Sequence, residues 1–376
     1  MTLFAEKQRL VLKIGSALLV DPDTGAVRQD WLHSLCENIH TFHQRGYEII
    51  VVSSGAVALA RHQTNHMHQR LKLGEKQALA SIGQVGIAHA WQQALAQQGL
   101  MTAQVLLTPD DTEDRKRHLN ARRTIDTILS LGAVPVINEN DTLSTEELRF
   151  GDNDRLAARI AQMLNAKTLI LFSDIDGLYS ADPRTNPKAT HISIVEHITD
   201  DIMAAGGGAP SVFSSGGMRT KLQAAQIATR ADCDMIITKG ERLHPLTALQ
   251  NGALHTRFLA QPDCGSARKR WIASTLRPEG SVSLDKGAVD ALQHGASVLS
   301  AGVTHIEGHF DDGAVVALTL SNGETIGYGV IDYNDEQSRA MLGHRSTESD
   351  DQDTQQRHSV MIHRNNLALE TPMKSK

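Results

Sequence analysis

The sequence predicts an α/β protein: a largely parallel open sheet sandwiched by helices, followed by a small, mostly β domain. Short apolar runs rich in β-branched residues alternate with longer helical patterns through about residue 260. That is the rhythm of βαβ units whose strands are covered on both faces. Beyond that point the period switches to short strands separated by turn residues. At 376 residues the chain exceeds a typical single domain, so two domains are the expected division.

The predicted strands of the first part run over 10–14, 48–52, 103–107, 134–138, 168–172 and 235–238. Most end in polar or small residues: Lys13 and Gly15, Ser53-Ser54-Gly55, Thr108, Asn138-Glu139-Asn140-Asp141, Ser173-Asp174 and Lys239-Gly240. Open parallel sheets bind ligands beyond the carboxyl ends of their strands, so this edge is the predicted active face. Gly151-Asp152-Asn153-Asp154 leads into a predicted helix over 155–164, and Ser215 to Lys221 opens another. Between 260 and 277 the pattern breaks into Gln261-Pro262-Asp263-Cys264-Gly265-Ser266 and the basic Arg268-Lys269-Arg270-Trp271, which reads as a boundary with a packed tryptophan. Strands are then predicted over 281–284, 297–299, 304–308, 315–320 and 325–331, with Asn322-Gly323 as a hairpin signal and Asp312-Gly313 as a second turn. From Ser346 the chain is polar and acidic, with a last strand over 360–363. The expected division is therefore 1–260, a linker 261–278, a β domain 279–357 and a tail 358–376.

Composition narrows the function. A formal net charge of −6 and an aromatic content of 4% argue against a general nucleic-acid surface. Three cysteines (Cys36, Cys233, Cys264) are far apart and odd in number, which fits reduced thiols in a cytoplasm. No signal-like segment opens the chain and no apolar run approaches a membrane span, so no membrane association is expected.

Several residues have the makings of a site. Lys13 sits inside an apolar strand, where an ammonium either snorkels to water or meets an anion. Ser53-Ser54-Gly55-Ala56 is a plain helix start or a turn whose N–H groups hold a carboxylate or phosphate. The runs 138–141 and 151–154 are helix-capping acids, or acids and amides that grip a small zwitterion's ammonium. Ser173-Asp174 and the turn-rich stretch to Arg184 either wrap a ribose or adenine or form a surface connection. In Ser215-Gly216-Gly217-Met218-Arg219-Thr220-Lys221, two glycines before a helix form an ordinary turn or an anion-binding one. There is no Walker run G-x-x-x-x-G-K-[ST] and no G-x-G-x-x-G after the first strand. His62, His66 and His68, and His305, Glu307 and His309, have metal-like spacing; both groups read as solvated surface, and no metal ligand is assigned. Ala205 to Ser211 reads as a mobile loop and a lid candidate.

Taken in order, 11–16, 51–56, 135–141, 151–154, 177–184 and 216–221 resemble the glutamate 5-kinases of the amino acid kinase family, which carry a C-terminal PUA domain. The likeness covers nearly the whole chain. It implies the amino acid kinase fold and ATP-dependent phosphorylation of the side-chain carboxylate of L-glutamate, with Mg²⁺ held largely on ATP oxygens. It implies Lys13, Asp154 and Lys221 as the catalytic set, the aspartate holding both lysines. Lys13, Ser173, Asp174, Ser215, Gly216, Gly217, Met218, Arg219, Thr220 and Lys221 would line the nucleotide site, and Ser54, Asp141 and Asn153 would bind glutamate. Threonine is common in the family at the positions of Ser173 and Ser215; both serines keep a hydroxyl. The resemblance further implies proline biosynthesis with feedback by proline, a homodimer or tetramer formed through the kinase domain, and a reductase as consumer of the product. The rival assignments are acetylglutamate, aspartate, carbamate or UMP kinases of the same family, and RNA binding through the β domain.

Overall fold

The computed structural model describes residue 4 and residues 8–64, 71–143, 153–205, 217–261, 278–342 and 360–369. The chain separates into two compact units, Met1–Gln261 and Pro262–Lys376. The first runs β1 (Arg9–Ile14), α1 (Ser16–Leu19), α2 (Gln29–Gln44), β2 (Glu48–Ser53), α3 (Ala56–Gln63), α4 (Leu73–Gln97), β3 (Met101–Leu107), α5 (Pro109–Glu113), α6 (Arg115–Ser130) and β4 (Ala133–Glu139). It continues with α7 (Asn153–Met163), β5 (Thr168–Ser173), β6 (Leu178–Tyr179), β7 (His191–Ile192), β8 (Ile194–Val195), α8 (Asp200–Ala205), α9 (Met218–Arg230), β9 (Asp234–Lys239), α10 (Pro245–Gln250) and β10 (His255–Phe258).

Eight strands form one sheet in the order β3-β4-β2-β1-β5-β9-β10-β8, parallel except where β10 runs antiparallel to β9. All six strands expected from the sequence are present, each a residue or two longer. The edge formed by β10 and β8 is an addition. These strands are four and two residues long, and β10 alternates half-buried with buried positions, too little apolar sequence to stand out.

Strand alternation divides the core into two layers. Leu10, Leu12 and Ile14 of β1, with Ile49 and Val51 of β2, pack among residues of α2, α3, α4 and α10. Val11, Ile50 and Val52 face the other way, among residues of α7 and α9. Lys13 is two residues from Val11 and so falls on the α7/α9 face. Ser53, two residues from Val51, falls on the α4 face, where its Oγ accepts from Trp91 Nε1 at 3.0 Å. Parity along two strands therefore assigns the two sides of the site before any ligand is considered.

The second unit holds β11 (Gly280–Leu284), α11 (Lys286–Gln293), β12 (Val298–Leu299), β13 (Val303–Gly308), β14 (Val315–Thr319), β15 (Thr325–Val330), α12 (Asp335–Ala340), β16 (Val360–Ile362) and β17 (Leu367–Leu369). Its main sheet is β13-β11-β14-β15-β17, and β12 pairs β16. The β14–β15 hairpin turns at Asn322-Gly323, where Gly323 has φ +84° and Asn322 Oδ1 accepts from the Glu324 N–H. Asn-Gly supplies that positive φ without strain. The tail expected at 358–376 contains two strands built into this unit, with Met361, Ile362 and Leu367 in its core. The 261–278 linker lies almost entirely outside the described residues.

Candidate active site

Lys13, Asp154 and Lys221 come together from three elements distant in sequence. Asp154, in the first turn of α7, is fully buried; Lys13 on β1 and Lys221 on α9 are 7% and 6% exposed. Lys221 Nζ donates to Asp154 Oδ2 at 2.8 Å, and the Lys13 ammonium pairs with Oδ1. Burial alone would raise the Asp154 pKa, but the two ammonium groups outweigh it and hold the carboxyl far below the usual carboxylate range. The two ammonium groups share one carboxylate in a nearly dry place. Two cations around one anion leave the trio cationic, the charge that suits a phosphate chain.

The fold explains the meeting. Lys13 stands opposite Val52 and Leu171 in the two flanking strands, at the centre of the sheet. The connection from β4 to β5 carries α7 across that centre, and α9 packs beside α7, so both helix starts arrive over the carboxyl end of β1. Gly217 caps α9 with φ −73°, a conformation any residue adopts. Met218 is half-buried against the core, Arg219 is exposed, and Thr220 Oγ1 donates back to the Gly217 carbonyl at 2.8 Å. Ser215 and Gly216 lie outside the described residues, as do Gly151, Asp152 and 206–211 of the loop read as a lid.

Asn153, the residue before Asp154, reaches the other side. Its Nδ2 donates to the Ser53 carbonyl at 2.9 Å, Ser54 Oγ at 2.8 Å and Asn138 Oδ1 at 2.9 Å. Asn138 in turn accepts from the Glu139 N–H at 2.9 Å and donates to Gln84 Oε1 at 2.7 Å. The Ser54 turn requires Gly55, whose φ is +106°. Asp141, half-buried, follows β4 by two residues.

Ser173 ends β5 beside Lys239 of β9; its Oγ donates to Asp174 Oδ1 at 2.9 Å, its carbonyl accepts from the Gly240 N–H, and Asp174 is exposed. In the stretch beyond, Tyr179 donates to Asp176 at 2.9 Å and Arg184 pairs two-pronged with Asp182. The strand ends thus carry a charged cluster at β1, a neutral network at β2 and β4, and hydroxyl and carboxylate groups at β5.

Among the spaced histidines, His62 Nε2 lies 3.1 Å from the Asp23 carbonyl, while His66 and His68 are outside the described residues. His305 and Glu307 are exposed on β13, and His309 Nδ1 is 2.9 Å from Asp335. Cys36 and Cys233 are buried free thiols, and burial pushes Cys36 up to about 12; Cys264 is not described. No helix among the described residues is long and apolar enough to cross a membrane.

Sequence reasoning missed Gln84, and it placed Asn138 in the run 138–141 as a candidate grip on an ammonium without naming it among the glutamate-binding residues. One signal was available: Gly83, inside the 25-residue α4, where a glycine costs about 1 kcal/mol relative to alanine and so usually has a packing reason. A Cβ there would sit 1.8 Å from the Ala56 carbonyl oxygen at the start of α3.

Comparison with known proteins places the chain. A model of the amino acid kinase family matches residues 8–239, and a PUA domain model matches 280–351. A protein of Gluconobacter oxydans named glutamate 5-kinase is 55% identical over 98% of this chain and 97% of its own length. Another of that name from Paramagnetospirillum magneticum is 49% identical over 98% and 100%. Among solved structures, a UMP kinase from Ureaplasma parvum aligns with a TM-score of 0.49 at 15% identity, covering 68% of this chain and all of that one.

Proposed function

The chain belongs to the amino acid kinase family and, within it, to the glutamate 5-kinases, and from that membership we propose how its residues divide the reaction. The kinase transfers the γ-phosphoryl group of ATP to the side-chain carboxylate of L-glutamate. A carboxylate oxygen forms the new bond to phosphorus, the bond to the bridging oxygen breaks, and ADP leaves with that electron pair. Glutamate's side chain is ionised at neutral pH, so no general base is needed. Positioning and charge neutralisation remain as the protein's task.

Lys13 and Lys221 hold the ATP phosphates and neutralise the charge that moves with the phosphoryl group. Asp154 acts through them, fixing both ammonium groups. Met218 to Thr220, with Gly217 and the preceding Ser215-Gly216, line the phosphate side, and Ser173 and Asp174 the nucleoside side. Ser54, Asp141 and Asn153 hold glutamate. Mg²⁺ fits a site built this way when it arrives on the nucleotide's own phosphate oxygens, where it would add further neutralisation. The observation that carries the reading is Asp154 joined to one lysine from β1 and one from α9, next to an asparagine bonded to the Ser54 turn.

We also place the enzyme in the cytoplasm, as a homo-oligomer at the head of proline synthesis, with proline competing for the glutamate side and a reductase consuming the labile acyl phosphate. Saturating proline across a glutamate titration is expected to raise the apparent KM; unchanged rates at every glutamate concentration would contradict the feedback. For the activity itself, ADP release is measured with Mg²⁺-ATP and L-glutamate, acetylglutamate, aspartate, carbamate or UMP, with hydroxylamine present to trap an acyl phosphate. Hydroxamate formed only with glutamate is the expected result. Turnover confined to another acceptor would overturn the substrate assignment.

A further inference from the structure

We propose that Gln84 of α4 is a positioning residue for the acceptor: through Asn138 it holds Asn153 in the one amide orientation that leaves the Asn153 oxygen for the substrate's ammonium group. This rests on the assignment of glutamate to the Ser54–Asn153 side.

Donor and acceptor identities along the chain of bonds are set by backbone atoms at both ends. The Glu139 N–H only donates, so the Asn138 atom meeting it is Oδ1. Asn138 Nδ2 is therefore turned toward Gln84, and the Gln84 atom receiving it is Oε1, at 2.7 Å. The Ser53 carbonyl only accepts, so the Asn153 atom meeting it is Nδ2. That nitrogen has two hydrogens and three acceptors: Ser53 O, Ser54 Oγ and Asn138 Oδ1. With the nitrogen engaged on the protein side, covalent geometry turns Oδ1 the other way, and it has no side-chain partner among the described residues. Rotating the Asn138 amide by a half turn would set donor against donor at the Glu139 N–H, and rotating the Asn153 amide would set acceptor against acceptor at the Ser53 carbonyl and Asn138 Oδ1.

Gln84 closes this relay from the helix layer. Gly83 lets the α4 backbone rest against Ala56, the residue after Gly55, closer than any side chain would permit. The next residue of α4 is thereby delivered to Asn138, and a helix that covers the sheet also sets the orientation of two amides at the acceptor turn. Removing Oε1 leaves Asn138 Nδ2, part-buried, without its acceptor, and the strain appears in the binding of the amino acid rather than in the transfer step.

The test is a double-mutant cycle in the full-length protein, using Gln84→Met, with Gln84→Leu as a second removal of the amide, and Asn138→Ala. Circular dichroism melts are run alongside to confirm folding. Gln84→Met is expected to raise KM for L-glutamate roughly tenfold, as for a lost hydrogen bond, with KM for ATP and kcat within about twofold. In the Asn138→Ala background, adding Gln84→Met raises KM no further, because the relay is already cut. An unchanged KM for glutamate, equal rises in both substrates' KM, or effects that multiply in the double variant would overturn the proposal. If the unsubstituted protein makes no glutamyl hydroxamate, the glutamate assignment has failed, not Gln84, and the same cycle on whichever acceptor is turned over decides the role of Gln84.

Discussion

Asn153 and Asp154 are neighbours at the start of α7, yet among the described residues the Asn153 side chain is bonded to an amide, a hydroxyl and a carbonyl, while Asp154 is bonded to two ammonium groups. Successive helical residues point about 100° apart, so one helix end reaches two separate networks, which the proposed reading assigns to the two substrates. On the Asp154 side the interactions are ionic and almost dry. On the Asn153 side they are neutral and directional, joining the buried Ser53 and Asn138 to the half-buried Asn153, Ser54 and Gln84. The difference matches the two substrates. A phosphoryl group in flight needs positive charge held still, whereas an amino acid needs its polarity read. If that division is real, the two sides fail differently.

The largest expected effect is on the ionic side. Lys13→Met or Lys221→Met removes one of two cations from the transferring phosphate and should lower kcat by roughly 10²–10³-fold, read by ADP release at saturating glutamate. Losing less than threefold in both variants would break the comparison. Next is Asn153→Ala, which removes a hydrogen bond to a charged ammonium and should raise KM for glutamate on the order of 10–100-fold, with KM for ATP nearly unchanged. Equal rises in both KM values would mean the sides are not separate.

A smaller effect tests the turn that shapes the neutral side. Gly55→Ala forces a side chain into φ +106° and against Val20 Cγ2 at 3.3 Å, which should cost about 1–2 kcal/mol by chemical denaturation. The smallest is an acid-side effect. The Asp154 carboxyl titrates far lower folded than unfolded, so its contribution to stability is fully present above about pH 4, the ordinary aspartate range, and is lost as pH falls below it. The stability gap between the protein and Asp154→Asn should be flat from pH 8 to 5 and narrow below pH 4. A gap that widens in acid would contradict the pairing.

The same comparison shows what the sequence discloses. Lys13 stands out because a charge within an apolar strand is conspicuous; spacing marks the polar helix starts at 151–154 and 215–221, and the family resemblance singles out Asp154 and Lys221 within them. Strand parity then explains why Lys13 and Ser53 serve different layers. The neutral side was less legible. Gln84 is an ordinary polar residue on a helix, and only the contact of Gly83 with Ala56 makes its position special. The bond from Asn138 to Gln84 spans 54 residues, a separation no local pattern encodes. The same limit hid β10, which pairs with the edge of β9, β8, which pairs with β10, and β17, three residues that pair with β15.

The measurement that tests the division most directly sets Lys221→Met beside Asn153→Ala in one hydroxylamine-trap assay, with full titrations of ATP and glutamate. The account predicts that Lys221→Met loses kcat while its KM for glutamate stays within about threefold, and that Asn153→Ala shows the reverse. Both variants losing kcat and glutamate affinity together would contradict it, and the start of α7 would then be a single indivisible site.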